Sequence, residues 1–330
     1  MRLIFFPGLL LIVIIGCNPA VKKTIGSIER LDAALDNIIS IDAQIEILAE
    51  GFEWSEGPVW VESENMLLFS DVPKNMIHKW TEANGLKDYL TPSGFTGTET
   101  ERREPGSNGL VLDGTGKLVL CQHGDRRIAV LNASLADPKP EFSTLADRYD
   151  GKKFNSPNDA AFRGNDLFFT DPPYGLPKQA NDPTKEIPFQ GVYKVSAAGD
   201  VTLMIDSLTR PNGIAFFPDN STFIVANSDP GKAIWYRYRL DENDSIVHAS
   251  IFYDATENTK TESGLPDGLK IDQQGNVFAT GPGGVWIFSS DGKALGKIKL
   301  PVPTANCALS ADQKTLYITA DMYLLRVKLQ

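Results

Sequence analysis

The sequence predicts an all-β fold, a six-bladed β-propeller, and three observations support this prediction. A short polar segment recurs along the chain, and each copy leads into an apolar run typical of a strand. Further β-rich runs follow each copy within the same repeat. The intervals between the key polar residues are 52, 50, 54, 55 and 39 residues, and repetition at this length indicates a propeller, a solenoid or another array. The key residues are Glu56, Asn108, Asn158, Asn212, Asp267 and Asn306.

The composition is that of a packed globular protein with an acidic surface. A closed repeat array can use all 330 residues as one domain, and 42% apolar with 22% charged residues is ordinary for a packed core. The formal net charge of −10 argues against nucleic acid as a partner, because its phosphates would be repelled.

The N-terminus predicts an exported protein. Arg2 precedes an apolar stretch from Leu3 to Ile15, whose 13 residues are too few for a membrane span of about 20. Gly16-Cys17 resembles a bacterial lipoprotein cleavage site, so residues 1–17 are predicted to be a lipoprotein-type signal peptide, with Cys17 lipidated. An uncleaved hydrophobic N-terminus is the alternative. The predicted location is the bacterial cell envelope, lipid-anchored and facing the periplasm, with outer-membrane attachment preferred because Asn18 follows the cysteine. The lipid anchor would be the only membrane contact.

Residues 18–40 have no strand pattern and are predicted to form a tether or a short helix, so the propeller is expected over residues 41–330. Ala43–Leu48 then alternates like a half-buried strand and lies before the first repeat. The last repeat ends after three predicted strands. Pairing the N-terminal strand with the last blade would close the ring and remove an exposed edge.

Within the repeats, second and third strands are predicted from β-rich runs separated by turn residues. The second strands are Met66–Ser70, Lys117–Cys121, Asp166–Thr170, Thr222–Ala226, Asn276–Thr280 and Thr315–Thr319. The third strands are Met76–Trp80, Arg127–Leu131, Gly191–Val195, Trp235–Leu240, Val285–Phe288 and Leu324–Lys328. Cys121 and Cys307 are too few for a disulfide framework and are expected to be buried free thiols.

Two connections, Thr91–Ser107 and Tyr174–Gln190, are unusually long. Loops longer than about 12–15 residues in compact folds are often binding loops, although a decorative insertion is the alternative.

The polar segments should converge at one mouth of the propeller channel. Glu56 and Asp267 supply carboxylates, and Asn158 and Asn212 supply amide oxygens. A set without thiolate or imidazole favours Ca²⁺, Mg²⁺ or Mn²⁺. The alternative is that Asn-Gly and Asp-Gly are simply turn formers, which leaves Glu56 without an explanation.

These segments carry a family resemblance over roughly residues 45–330. The stretches are Glu56–Trp60, Gly106–Leu110, Cys121–Arg127, Ser156–Asp159, Phe169–Leu176, Arg210–Gly213, Pro266–Gly268 and Thr280–Trp286. In this order they resemble the family of senescence marker protein, gluconolactonase and luciferin-regenerating enzyme, and within it bacterial gluconolactonase-type lactonases.

The resemblance implies a catalytic divalent cation, with Ca²⁺ expected first and Mg²⁺, Mn²⁺ or Zn²⁺ as alternatives. The implied metal ligands are Glu56, Asn158, Asn212 and Asp267, and Asp267 would also be the acid/base carboxylate. The implied substrate-pocket residues are Asn108, His123, Tyr174 and Asn306. For His123 the alternative is a structural role, and Asp171 would either orient the ligands from behind or act as a turn residue.

The predicted function is hydrolysis of a small sugar lactone, in which water attacks a metal-polarised carbonyl and Asp267 accepts its proton. A phosphotriesterase-like hydrolase using the same metal, and a propeller that binds a ligand or protein without turnover, are the alternatives. Sequence patterns for a serine-hydrolase elbow, a zinc-protease helix and a phosphate-binding glycine loop are absent from the chain.

Overall fold

The computed structural model describes residues 22–98 and 103–330. The predicted signal peptide and Cys17 lie outside the described residues.

The described chain is built almost entirely of short antiparallel strands. β1 (Ser27–Arg30) and β2 (Glu46–Glu50) precede the first blade. Blade 1 consists of β3 (Ser55–Val61), β4 (Met66–Asp71), β5 (Met76–Thr81) and β6 (Gly85–Leu90). Blade 2 consists of β7 (Ser107–Leu112), β8 (Leu118–Gln122), β9 (Arg127–Leu131) and β10 (Phe142–Ala146). A small hairpin, β11 (Arg148–Tyr149) and β12 (Lys152–Lys153), leads into blade 3.

The remaining blades repeat the same plan. Blade 3 consists of β13 (Ala160–Arg163), β14 (Asp166–Asp171), β15 (Gly191–Val195) and β16 (Val201–Ile205). Blade 4 consists of β17 (Pro211–Phe216), β18 (Thr222–Asp229), β19 (Lys232–Leu240) and β20 (Ile246–Asp254). Blade 5 consists of β21 (Leu269–Ile271), β22 (Val277–Gly281), β23 (Gly284–Phe288) and β24 (Ala294–Lys299). Blade 6 contains β25 (Asn306–Leu309), β26 (Thr315–Ala320) and β27 (Tyr323–Lys328). Short 3₁₀ helices occur at Ala33–Asn37, Glu62–Glu64, Gln179–Asn181 and Asn258–Lys260.

The blades form a closed ring around a central channel. In each sheet the first blade strand along the chain is innermost, and the later strands follow outward. The inner strands contact their neighbours around the ring, and the last one, β25, contacts the first, β3. The six-bladed propeller prediction is therefore confirmed.

The apolar core lies between the blades. Six clusters of buried side chains are present in the described residues, one at each interface between neighbouring blades. The second strand of a blade feeds both neighbouring interfaces: in β4, Leu67 and Phe69 pack toward blade 6, and Leu68 packs toward blade 2. A strand buried on both faces requires an almost continuous apolar run, which is why these second strands could be recognised in the sequence.

The N-terminal strand closes the ring as predicted, although it begins later than Ala43. β2 pairs with β27, with Glu46 opposite Arg326 and Ile47 opposite Leu325. The outermost strand of blade 6 therefore comes from the other end of the chain, so the ring is closed by hydrogen bonds.

Of the two alternatives predicted for residues 18–40, the tether is wrong for the described part, and the short helix corresponds to the 3₁₀ helix Ala33–Asn37. β1 adds a fifth strand to blade 5 by pairing with β24. After it, Leu35 and Ile39 are fully buried in the core between blades 5 and 6. The side chain of Arg30 fixes this segment by donating to the carbonyls of Ile39 and Ser40. The sequence of β1 has no alternating apolar pattern because this segment becomes a strand through its pairing with β24.

Cys121 and Cys307 are buried free thiols, as predicted. Over residues 22–98 and 103–330, none of the helices has the length and apolar character needed to cross a membrane.

Candidate active site

A cavity of about 520 Å³ opens at one mouth of the central channel. Its lining includes six of the predicted site residues: Glu56, Asn108, Asn158, Tyr174, Asn212 and Asp267. Most of these side chains stand at or next to the start of an inner strand, which is the part of each blade nearest the axis. His123, Asn306 and Asp171 do not line the cavity and are buried in the protein around it.

The glycines that follow these residues let the inner strands approach one another. A Cβ on Gly57 would lie 2.0 Å from the carbonyl oxygen of Asn108, and one on Gly268 would lie 1.9 Å from Cγ of Asn306. The first clash is with backbone and could be relieved only by moving an inner strand, whereas the second would displace the Asn306 side chain. Asn108 and Asn212, with the glycines after them, lie inside β7 and β17. These Asn-Gly pairs are therefore explained by close packing at the channel axis and not by turn formation.

Three of the four predicted metal ligands present a buried oxygen that lacks a hydrogen-bond partner. These atoms are Oδ1 of Asn158, Asn212 and Asp267. An unsatisfied buried polar atom costs about 1–3 kcal/mol, so three such atoms in one cavity favour a site that binds a ligand. In the described part of the chain, no three His, Cys, Asp or Glu side chains are grouped to hold a metal. A metal here would therefore depend on amide oxygens as well as carboxylates, a donor set that suits a hard cation.

The two carboxylates of this set are strongly perturbed. Burial and the nearby charge of Asp159 raise the pKa of Glu56 to about 8, although a hydrogen bond from the Gly57 N–H at 2.7 Å opposes the shift. Burial and the charges of Glu56 and Asp159 raise the pKa of Asp267 well above its usual range. A divalent cation would offset this repulsion and allow both carboxylates to ionise. The residues therefore fit a divalent cation.

Asp159 is a buried carboxylate that the sequence reasoning missed. Its Oδ2 lies 3.4 Å from Nδ2 of Asn306, and the same amide group lies 3.3 Å from Oε2 of Glu56. Asn306 therefore bridges two carboxylates beneath the cavity. A signal was present, because Asp159 occupies the position that is glycine in four other repeats, as at Gly57 and Gly268.

Asp171 holds the backbone that leads into Asn158. Its carboxylate accepts hydrogen bonds from the N–H groups of Asn155 and Ser156, both at 2.7 Å. The amide of Asn155 donates in return to the Asp171 carbonyl at 3.0 Å. Asp171 is fully buried at the end of β14, so it supports Asn158 from behind rather than contacting the cavity.

His123 and Tyr174 stay in their neutral forms. His123 is fully buried, and burial lowers its pKa to about 3. Neither of its ring nitrogens has a hydrogen-bond partner, and Nδ1 lies 3.8 Å from Oε2 of Glu104. Burial raises the pKa of the Tyr174 phenol, so this side chain keeps a proton that it can donate to a ligand in the cavity.

Comparison with known proteins identifies the family. A model described as the SMP-30/Gluconolactonase/LRE-like region matches residues 54–321. The chain belongs to this family. A gluconolactonase from Zymomonas mobilis is 39% identical over 314 residues, which cover 93% of this chain and 87% of that protein. A pentonolactonase from Haloferax volcanii is 26% identical over 270 residues, which cover 80% of each chain. The solved structure of a gluconolactonase from Xanthomonas campestris superimposes with a TM-score of 0.81 at 30% identity, covering 95% of this chain and 98% of that one.

The cavity of this SMP-30/Gluconolactonase/LRE-like protein also has lining residues that the sequence analysis did not assign to the site. Arg103 and Glu104 come from the long connection before β7, and Arg210 stands two residues before Asn212. Trp54, Gln179, Ser228 and Thr304 also contribute polar groups to the lining. The length of the Thr91–Ser107 connection was the only sequence signal for the first two, because a loop residue's direction depends on the folded backbone.

Proposed function

We propose that this protein is a metal-dependent lactonase that opens a sugar lactone to the corresponding hydroxy acid. The observation that carries this proposal is the group of unpaired oxygens of Asn158, Asn212 and Asp267 in one cavity with Glu56. A volume of about 520 Å³ is in the range for small-molecule sites and suits a sugar ring. The relatives named gluconolactonase and pentonolactonase support a lactone as the substrate class.

We propose one divalent cation, held by Glu56, Asn158, Asn212 and Asp267. Ca²⁺ is the first choice because all four side chains offer oxygen, and Mg²⁺, Mn²⁺ and Zn²⁺ are the alternatives. When bound, such a cation acts as a Lewis acid toward a carbonyl oxygen.

The protein's own side chains would supply the remaining chemistry. Asp267 would accept a proton from the attacking water, because its carboxylate lines the cavity and has a second oxygen besides the Oδ1 that would face the cation. The Tyr174 phenol would donate a hydrogen bond to a substrate oxygen, and Asn108 would contact the sugar hydroxyls from the neighbouring wall.

The test measures hydrolysis of a panel of aldonolactones by the protein from residue 18 onward, which retains every described residue. Turnover should disappear on chelation and return when Ca²⁺, Mg²⁺, Mn²⁺ or Zn²⁺ is added, with the restored rates ranking the cations. Asn212→Ala should abolish the return, whereas Asn243→Ala, on an exposed turn, should behave like the wild type.

Two other outcomes correspond to the alternative functions. Inactivity on every lactone, together with turnover of an organophosphate triester, would replace the lactonase proposal with a phosphotriesterase. Tight metal binding without turnover of either class would indicate a ligand-binding propeller.

We also propose that the protein is exported and anchored through a lipid on Cys17, on the periplasmic side of the bacterial outer membrane. Arg2, the apolar stretch and Gly16-Cys17 support this location. Mass spectrometry of the mature N-terminus should find a lipidated Cys17 and no residues before it. An intact Met1–Gly16 segment in the mature protein would contradict the proposal.

A further inference from the structure

A second carboxyl group, from Glu104, lines the same cavity as Asp267. Glu104 lies in the connection that leads into β7 of blade 2, and Asp267 precedes β21 of blade 5. Blades 2 and 5 stand opposite each other in a ring of six. The two carboxyl groups therefore approach the cavity from opposite sides of the channel axis.

The surroundings of Glu104 favour a carboxyl group that can hold a proton. Its side chain is 19% exposed, and burial raises its pKa to about 7, although the charge of Arg103 opposes the shift. Nε of Arg103 lies 3.4 Å from Oε1, and Nδ1 of His123 lies 3.8 Å from Oε2. Burial is the main cause of the raised pKa of Asp267 and of Tyr174, and the charge of Glu104 adds to both shifts.

His123 is placed to orient this carboxyl group. It is fully buried and neutral, and both of its ring nitrogens lack a partner. Buried polar atoms are nearly always hydrogen-bonded, and Oε2 of Glu104 lies just beyond hydrogen-bond distance of Nδ1. A small rotation of the Glu104 side chain would complete this hydrogen bond, and apo sites often have catalytic hydrogen bonds that are longer than in the substrate complex.

Lactone hydrolysis requires two proton transfers, and Asp267 accounts for only one of them. The ring oxygen of a sugar lactone leaves as an alkoxide, which is a poor leaving group unless it is protonated. We propose that Glu104 is the general acid that protonates the departing ring oxygen, with His123 as its positioning residue. This inference rests on the proposed lactonase function.

The atoms and protons of the step balance. The water oxygen forms a bond to the carbonyl carbon, and one water proton passes to Asp267. The bond between that carbon and the ring oxygen breaks, leaving its electron pair on the ring oxygen, which takes the proton of Glu104. The product is a hydroxy acid, after which Asp267 loses a proton to solvent and Glu104 regains one.

The decisive experiment varies the leaving group. Wild type and Glu104→Gln are compared on an aldonolactone, whose alkoxide requires a proton, and on dihydrocoumarin, whose phenolate leaves unassisted because a phenol has a pKa of about 10. For the aldonolactone we expect kcat to fall by about 100-fold, the lower end of general-acid effects. For dihydrocoumarin the fall should stay within about threefold, because no proton transfer is lost.

The ratio of the two rates is the readout. Both lactones are measured on the same preparation, so incomplete folding lowers both rates equally and leaves the ratio unchanged. Glu141→Gln, which alters an exposed carboxylate, should leave both rates and the ratio unchanged. His123→Asn should reduce kcat for the aldonolactone alone, with KM unchanged.

The pH profile provides a second readout. Wild-type kcat on the aldonolactone should fall as the pH rises through about 7, because the acid form of Glu104 is lost. This fall should be absent in Glu104→Gln. Equal losses on both lactones would overturn the role of Glu104 and leave the lactonase function intact, whereas wild-type inactivity on both would overturn the two proposals together.

Discussion

Blades 3 and 5 each bring one predicted metal ligand to the cavity, but they hold the preceding backbone differently. In blade 3, Asp171 at the end of β14 binds the N–H groups before Asn158. Blade 5 has Gly281 at the end of β22, and a Cβ there would lie 2.6 Å from the Trp235 ring. Packing of an aromatic side chain from blade 4 thus leaves no room for a capping side chain in blade 5.

In blade 5, an ion pair takes the place of the hydrogen bonds that the Asp171 carboxylate, here called the cap, makes in blade 3. Lys297 is 3% exposed, its Nζ lies 2.7 Å from Oε2 of Glu262, and it stands 3.8 Å from the centre of the Trp286 ring. Glu262 belongs to the connection that continues through Gly264 and Leu265, which line the cavity, to Asp267. The backbone before Asp267 is therefore anchored from outside the site.

Blades 1 and 4 follow the plan of blade 3. The Asp71 carboxylate accepts from the N–H of Trp54 at 3.2 Å, ahead of Glu56. Oδ1 of Asn227 accepts from the N–H of Arg210 at 2.8 Å, ahead of Asn212. Among the four blades that bring a predicted metal ligand, three use a side chain at or near the end of the second strand as a support, and blade 5 does not.

The largest expected effect on stability comes from changing Asp171, the cap of blade 3. Asp171→Ala removes two hydrogen bonds of 2.7 Å and leaves two buried N–H groups unpaired, so the free energy of unfolding should fall by about 4 kcal/mol. Metal affinity should fall with it, because Asn158 loses its support. Denaturant unfolding and calorimetric metal titration measure the two effects.

The control for this prediction is Asp219→Ala, which also removes a carboxylate that accepts two backbone N–H groups, but in an exposed turn. It should cost about 1 kcal/mol, because water replaces the lost bonds, and metal affinity should not change. Similar losses in the two variants would show that blade 3 has no special support at Asp171.

A smaller effect is expected at the ion pair of blade 5. Lys297→Met leaves Glu262 without its partner and should lower the free energy of unfolding by about 2 kcal/mol, below the value for fully buried pairs because Glu262 remains 21% exposed. If the pair anchors Asp267, kcat should also fall.

Lys293→Met is the matched control, because Lys293 directly precedes β24 and pairs with Asp32 at the surface. Its effect on stability should stay below about 0.5 kcal/mol. Unchanged kcat in Lys297→Met would show that the ion pair stabilises blade 5 without positioning Asp267.

The sequence predicted the fold well where its signal is local and repeated. The polar segments, the doubly buried second strands and the closing strand β2 could all be read from periodicity. β1 could not, because Ser27–Arg30 becomes a strand only by pairing with β24. The outer strands, such as Phe142–Ala146, were also missed, since one face is in solvent and their apolar pattern is weak.

The repeat pattern alone predicted only the residues at the repeated position, and Tyr174 came from the family resemblance. Glu56, Asn158, Asn212 and Asp267 converge because the ring symmetry brings equivalent positions to the axis. Glu104 comes from a loop, and its direction depends on contacts distant in sequence. The supports at Asp71, Asp171 and Asn227 required the pairing of first and second strands to be known, because their partners lie 15–17 residues away.

The last prediction distinguishes the ionisable cap of blade 3, Asp171, from the amide cap of blade 4, Asn227, by the pH dependence of stability. Burial raises the pKa of Asp171 to about 7 from 3.8, although the N–H groups of Asn155 and Ser156 oppose the shift. Between these values the folded protein binds more protons at this site than the unfolded chain, so its contribution to stability decreases as the pH rises. Asn227 has no proton to lose and should contribute equally across this range.

Asp171→Asn converts the cap of blade 3 to the chemistry of blade 4. From pH 5 to pH 8, wild type should lose about 2 kcal/mol of unfolding free energy relative to this variant, as measured by denaturant unfolding at each pH. Parallel curves would contradict the prediction and would have a direct physical meaning. They would show that the two 2.7 Å hydrogen bonds outweigh burial, so that Asp171 stays ionised at both pH values and the two blades differ only in hydrogen-bond strength.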